Sequence, residues 1–119
     1  MSEQLIGKHI DMLDKGFIEL VDLMPHPSTD VSGDLAIVNA ARVSFMGESK
    51  GEERDKKLLF YLLRNHHTTP FEMVEFKFHI KMPIFVARQH LRHRTASVNE
   101  MSARYSVIPE DFFVPDEYR

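Results

Sequence analysis

Hydrophobic and polar residues alternate most regularly between Val74 and Met82, where Val74, Phe76, Phe78, Ile80 and Met82 are separated by Glu75, Lys77, His79 and Lys81. A period of two sends successive side chains to opposite faces, so this stretch predicts a β-strand. A looser alternation from Ile10 to Met24 breaks at Asp14-Lys15-Gly16. It predicts a hairpin in which Gly16 supplies the turn conformation. Helical spacing appears at Leu58, Leu59, Leu62, Leu63 and His66, which form one stripe of a helix running from near Glu52 to near Asn65. Glu52, Glu53 and Asp55 lie at its positive end, where the dipole favours acids. Pro25 to Gly33 reads as a loop, and Asp34 as the cap of a short helix over Leu35 to Val43. Met46 to Gly51 is a second polar loop.

Pro83 stands where a first helical turn tolerates it, and Ile84 to Arg92 follows at helical spacing. Arg88 and Arg92 are four apart there, and Gln89 reaches the side of Arg92 and His93. Beyond Tyr105 the chain offers Phe112-Phe113-Val114, then Pro115 and a charged end, with no further helix. There is no internal repeat, low-complexity tract or linker. The pattern as a whole predicts one α+β domain over residues 1–119, an antiparallel sheet beside helices.

Composition narrows the function classes. With 119 residues, 43% of them hydrophobic, the chain suits one core and would bury roughly 65% of its unfolded surface. A net charge of −3 argues against wrapping nucleic acid over the whole surface, so any basic function is local. The absence of cysteine excludes disulfides, thiolate metal ligands and cysteine nucleophiles. Apolar runs are short, and Met1 to Lys8 has no signal-like apolar segment. A cytoplasmic protein without membrane contact is expected.

Against the acidic total, four of the eight arginines (Arg88, Arg92, Arg94, Arg104) fall within seventeen residues that hold one acid, Glu100. Guanidinium groups match phosphate with paired hydrogen bonds, each contributing about 1.5–3 kcal/mol, so converging arginines suit an anion. The same residues also fit a solvated helix face whose charges pair with acids elsewhere. Between Thr95 and Ser102, hydroxyls, backbone amides and small residues permit a phosphate nest, although Ser97 and Ser102 equally suit caps or turns. No Gly-x-Ser-x-Gly elbow surrounds Ser102, which argues against a hydrolytic nucleophile. His90 and His93, and the adjacent His66 and His67, lack a metal-site frame, so no metal is assigned. His66 reads as part of a helix end, His79 as an exposed strand residue and His93 as a member of the basic cluster. Thr68-Thr69-Pro70-Phe71-Glu72 reads either as a cap and turn, with Pro70 holding Thr69 extended, or as ligand-orienting groups at an element junction.

Arg92-His93-Arg94-x-x-Ser97-x-x-Glu100-x-Ser102-x-Arg104 resembles the signature of the flavin-dependent thymidylate synthases, with all seven specified positions present. The resemblance extends through Asp14-Lys15-Gly16-Phe17, Ala40-Ala41-Arg42-Val43-Ser44-Phe45, His67-x-Thr69-Pro70-Phe71-Glu72 and Pro83-Ile84-Phe85-Val86-Ala87-Arg88-Gln89. It implies the family's α+β fold truncated on its C-terminal side, with residues 1–119 matching an N-terminal half. It further implies reductive methylation of dUMP to dTMP, with FAD as cofactor, NADPH as reductant and methylenetetrahydrofolate as carbon donor. By position, Thr69, Arg92, His93, Arg94 and Glu100 would contact FAD, with His67 near the flavin ring. Gln89, Arg92, Glu100, Met101, Ser102, Ala103 and Arg104 would hold dUMP.

The family is homotetrameric, and its members run to about twice this length. Further nucleotide-binding and flavin-binding residues lie in the other half, including the arginine that polarises the uracil ring, so no catalytic residue is assigned within this chain. Two implications stay open: the full reaction, or binding of FAD and dUMP without turnover because a C-terminal half is missing. A third reading, nucleic-acid binding through the arginines, meets the acidic balance and the lack of aromatic interleaving over residues 88–104.

Overall fold

The computed structural model describes residues 5–43, 47 and 49–115. Expectations for residues 1–4, for Ser44, Phe45, Met46 and Glu48, and for the charged end at 116–119 lie outside the described residues. The elements run β1 (His9–Met12), β2 (Gly16–Met24), α1 (Gly33–Val43), α2 (Glu52–Arg64), a 3-10 helix (Thr69–Met73), β3 (Glu75–Lys81) and α3 (Ile84–His90). The strands form one three-stranded antiparallel sheet in the order β1-β2-β3, so the α+β expectation holds. Two compact units divide the chain: Met1–Lys8 with Glu19–His79, and His9–Ile18 with Ile80–Arg119.

The hairpin forms as expected, but the turn works differently. The left-handed residue is Leu13, with φ 59°, rather than Gly16. Gly16 is needed for space: a Cβ there would stand 2.7 Å from the Met12 carbonyl oxygen and 3.0 Å from that of Lys81. Both neighbours are backbone and cannot move aside as a side chain would, so the glycine lets strands meet where any methyl would part them.

In the first unit, α1 packs on α2 and on the 3-10 helix. Ile37, Val38 and Leu62 are its buried apolar residues among those described, Val38 completely so. Each such side chain contributes about 1.5–3 kcal/mol by leaving water. The α1 helix begins at Gly33, earlier than expected, because Ser32 rather than Asp34 supplies the cap. Its Oγ accepts from the Leu35 amide at 3.2 Å, and its carbonyl from that of Ala36 at 2.9 Å. Asp34 sits in the first turn, favoured there by the dipole.

The α2 helix matches its expected span, and its stripe narrows. Leu58 and Leu59 are half-buried and Leu62 buried, whereas Leu63 is 56% exposed. At its start, Asp55 gathers three donors. Arg42 of α1 approaches Oδ1 at 2.5 Å, the Ser49 hydroxyl donates to Oδ2 at 2.5 Å, and the Lys50 amide donates to Oδ1 at 3.3 Å. These bonds hold the carboxyl below its ordinary range, Ser49 contributing most and Arg42 next among the groups that lower it.

At the end of α2, His66 takes a left-handed conformation with φ 54°. Its amide donates to the Leu63 carbonyl at 3.2 Å, and the His67 amide to that of Leu62 at 3.0 Å. This is the Schellman arrangement, built on histidine where glycine is usual. The His67 ring then meets Tyr61 edge-on at 6.0 Å.

The β3 strand runs from Glu75 to Lys81, within the expected stretch, but it is largely exposed on both faces. Phe76 and Phe78 are 62% and 51% exposed, with rings stacked at 6.1 Å. Alternation located the strand, while the cover needed to bury one face is absent among the described residues. No described helix is long and apolar enough to cross a membrane.

Candidate anion-binding site

The second unit carries all seven signature residues. Pro83, extended at φ −58° and ψ 145°, stands immediately before α3. Its carbonyl accepts from the amides of Val86 and Ala87, both at 3.0 Å. The helix stops at His90, two residues short of expectation, because the chain tightens to three-residue bonds. The Arg92 amide donates to Gln89 at 3.1 Å and the His93 amide to His90 at 3.2 Å. This last turn carries Gln89, Arg92 and His93 into a further turn at Arg94 and Thr95. Every residue from Arg92 to Met101 is exposed.

The His90 and His93 rings lie 6.5 Å apart. Among the described residues no three histidines or carboxylates gather as metal ligands.

Ser102 is half-buried and organises the next turn. Its hydroxyl accepts from the Arg104 amide at 3.3 Å, and its carbonyl from the amides of Tyr105 and Ser106, both at 3.1 Å. Of the uses open to this serine, turn formation is the one realised. The Arg104 guanidinium lies 5.6 Å from the centre of the Tyr105 ring, a cation–π contact that restrains it while leaving its donors outward.

Among the described residues no carboxylate stands within ion-pair distance of Arg88, Arg92, Arg94 or Arg104. The arginine cluster is therefore not neutralised by other described parts of the fold. Exposed guanidinium groups on successive turns suit an anion, which they match with paired hydrogen bonds.

Thr69 belongs to the first unit, where it opens the 3-10 helix over Thr69–Met73. Pro70 falls at the start of that helix, so Thr69 is part of a turn and not the extended residue expected before proline. His67, Thr69 and Glu72 are all exposed.

Pattern reading missed a cavity of about 250 Å³ in the second unit. Met12, Phe17, Ile18, Met82, Val86 and Phe113 are among its lining residues. Residues 111–113 lie along it, fastened by Lys81 to Asp111 at 2.5 Å and by a long 3.4 Å bond from Lys15 to the Phe112 carbonyl. The Lys81 hydrogen bond, and then its charge, lower the pKa of Asp111. Phe85 meets Phe113 at 5.9 Å between ring centres. The sequence trace of this arrangement is the apolar Phe112-Phe113-Val114, nearly a hundred residues from the hairpin turn it meets.

Residues 20–119 match the family model described as thymidylate synthase complementing protein, Thy1. The chain is 53% identical over 114 residues to the flavin-dependent thymidylate synthase of Rickettsia bellii, covering 96% of this chain and 36% of that protein. It is 56% identical over 110 residues to the enzyme of the same name from Thermus thermophilus, covering 92% of this chain and 38% of the relative. Among solved structures, the UMP/dUMP methylase PolB from Streptomyces cacaoi bound with 5-Br dUMP matches at a TM-score of 0.69 and 41% identity. That match covers 90% of this chain and 44% of that one. The chain thus spans little more than a third of the length of these curated relatives, where the resemblance implied about half.

Proposed function

Since the chain belongs to the thymidylate synthase complementing protein family, we propose that it serves the reductive methylation of dUMP to dTMP as part of a flavin-dependent thymidylate synthase. The observation that carries this reading is the complete seven-position signature on a segment exposed at every position but the half-buried Ser102, its arginines without an ion-pair partner among the described residues. FAD is the cofactor, methylenetetrahydrofolate the carbon donor and NADPH the reductant in this proposal. Homotetrameric assembly and a cytoplasmic setting complete it. When bound, the flavin supplies hydride chemistry, which is consistent with a chain that has no cysteine to supply a thiolate.

The residues fit such a cofactor. A diphosphate or an electron-rich ring needs fixed cations, and Arg92 and Arg94 flank His93 at the tight turn after α3. Arg92, His93, Arg94 and Glu100 are assigned to FAD, and Thr69 and His67 are carried to it by the resemblance alone. For dUMP, Gln89 and Arg92 orient the nucleotide, while Glu100, Met101, Ser102, Ala103 and Arg104 form the phosphate-side loop. The Ser102 turn engages the amides of Arg104, Tyr105 and Ser106 within itself, so the segment offers an anion the Arg104 guanidinium and the Ser102 O–H. No residue of this chain is assigned a catalytic role.

A second reading is binding of FAD and dUMP without turnover, favoured by the 36–38% share of the relatives that the chain spans. Two measurements separate the readings. Quenching of flavin fluorescence reports binding. Tritium release from 5-tritiated dUMP, with methylenetetrahydrofolate and NADPH present, reports the reaction. Quenching with release supports the first reading and quenching alone the second; absence of quenching overturns both.

A further inference from the structure

We propose that the apolar cavity between the hairpin turn and residues 111–113 is a socket for the part of the family polypeptide that lies outside the segment matched here. The partner would seat large apolar side chains in it. This inference rests on family membership and deepens the functional reading by naming how the remaining polypeptide is held.

The lining decides the chemistry of the occupant. Met12, Phe17, Ile18, Met82, Val86 and Phe113 present carbon to a space of about 250 Å³, enough for one or two large side chains. Of the charged groups that line it, Lys81 pairs with Asp111 and Lys15 donates to the Phe112 carbonyl, and the remaining one is the carboxylate of Asp14. An anionic ligand would meet the Asp14 carboxylate there, whereas an apolar group would displace only water from the carbon-lined space. Beside the cavity, α3 continues the same character with Ile84 at 71% and Phe85 at 59% exposure. Apolar side chains exposed beside an apolar cavity suit an interaction surface.

The length of the relatives argues for the occupant. They are 53–56% identical to this chain where they match, yet the matched part is only 36–38% of their length. Nearly two thirds of each relative is therefore available to cover surface that this segment leaves open. A second copy of the chain and a free small molecule are the competing occupants, and the experiment below separates them.

Because the chain has no cysteine, Val86→Cys carries a single environment-sensitive fluorophore at the cavity wall. The probe is the purified polypeptide comprising the unmatched portion of the Thermus thermophilus relative, shown to be folded by circular dichroism. A saturable blue shift, with a complex of one chain to one probe by sedimentation, is expected. Val86→Glu in the unlabelled chain should weaken that complex at least tenfold. Should Val86→Glu fail to fold, Met12→Lys carries the same test, since Met12 lines the cavity yet is 46% exposed and tolerates charge.

Absence of the shift, or equal affinity of the charged variants, overturns the proposal. A concentration-dependent shift without the probe, at the mass of a dimer, overturns it in favour of a second copy. Flavin quenching measured on the same samples reports separately: docking without quenching removes the flavin reading and leaves the socket intact.

Discussion

The guanidinium of Arg42 and the carboxylate of Asp55 meet at 2.5 Å with side chains only 9% and 13% exposed, fastening the end of α1 to the first turn of α2. Ser49 and the Lys50 amide complete the carboxylate's partners, so a loop, two helices and one acid form a single hydrogen-bonded joint. Its strength should depend on protonation of that acid. The folded pKa of Asp55 is depressed, chiefly by the Ser49 hydroxyl and then by Arg42. The contribution is therefore complete above the unfolded carboxylate value of about 3.9 and is lost as pH falls through the lower folded value. Urea midpoints measured from about pH 5 to about pH 2 should fall in the parent chain. In Asp55→Asn the same acid limb should be flatter; an unchanged slope would remove the joint from the account.

Two adjacent leucines should part sharply. Leu62 is 6% exposed and belongs to the small apolar core of the first unit, so Leu62→Ala should cost about 2–5 kcal/mol. Leu63 is 56% exposed, and Leu63→Ala should stay within about 0.5 kcal/mol. Denaturant unfolding of both variants checks this, and equal losses would restore the wider stripe that spacing alone suggests.

Gly16→Ala should be destabilising although alanine is the smallest possible addition. The new methyl would press on the Met12 carbonyl at 2.7 Å, and backbone must shift to admit it. Overpacking of this kind costs about 1–3 kcal/mol. Thermal unfolding, with the Leu13→Gly variant as a control for the turn itself, distinguishes crowding at the strand from strain in the turn.

On the functional side, Arg92→Ala should weaken FAD and Arg104→Ala chiefly dUMP. Loss of one charged hydrogen-bonding group, at about 1.5–3 kcal/mol, corresponds to roughly ten- to hundredfold in dissociation constant. Titration of both ligands against both variants is the check. Unchanged FAD affinity in Arg92→Ala would break the assignment at that residue, and equal losses of both ligands in Arg104→Ala would point to folding instead.

Residue spacing disclosed the strands, the hairpin and the spans of α1 and α2 because each has a local period that survives without knowledge of its neighbours. It disclosed the signature residues for a similar reason, since seven polar identities at set intervals do not depend on where the chain travels. The Ser32 cap was hidden by Asp34, an equally good capping residue two positions later. Leu63 has the same residue type as Leu62, and only packing tells them apart. The Arg42–Asp55 joint and the cavity at Val86 depend on residues distant in sequence, and no pattern along one segment encodes them. Gly16 is legible as a special position but not in its cause, because turn chemistry and close backbone approach both select glycine.

The left-handed His66 that ends α2 makes the chain's own priorities measurable. A non-glycine residue in that conformation costs about 1–2 kcal/mol, so His66→Gly should raise stability by about 1 kcal/mol. Natural sequences reach that gain by a single substitution, and this one has histidine at the position, immediately ahead of His67 and Thr69. If the stabilised variant also binds flavin less tightly, robustness and ligand affinity are opposed at this helix end. If it binds equally well, His66 is a tolerated imperfection and a ready place to strengthen the protein.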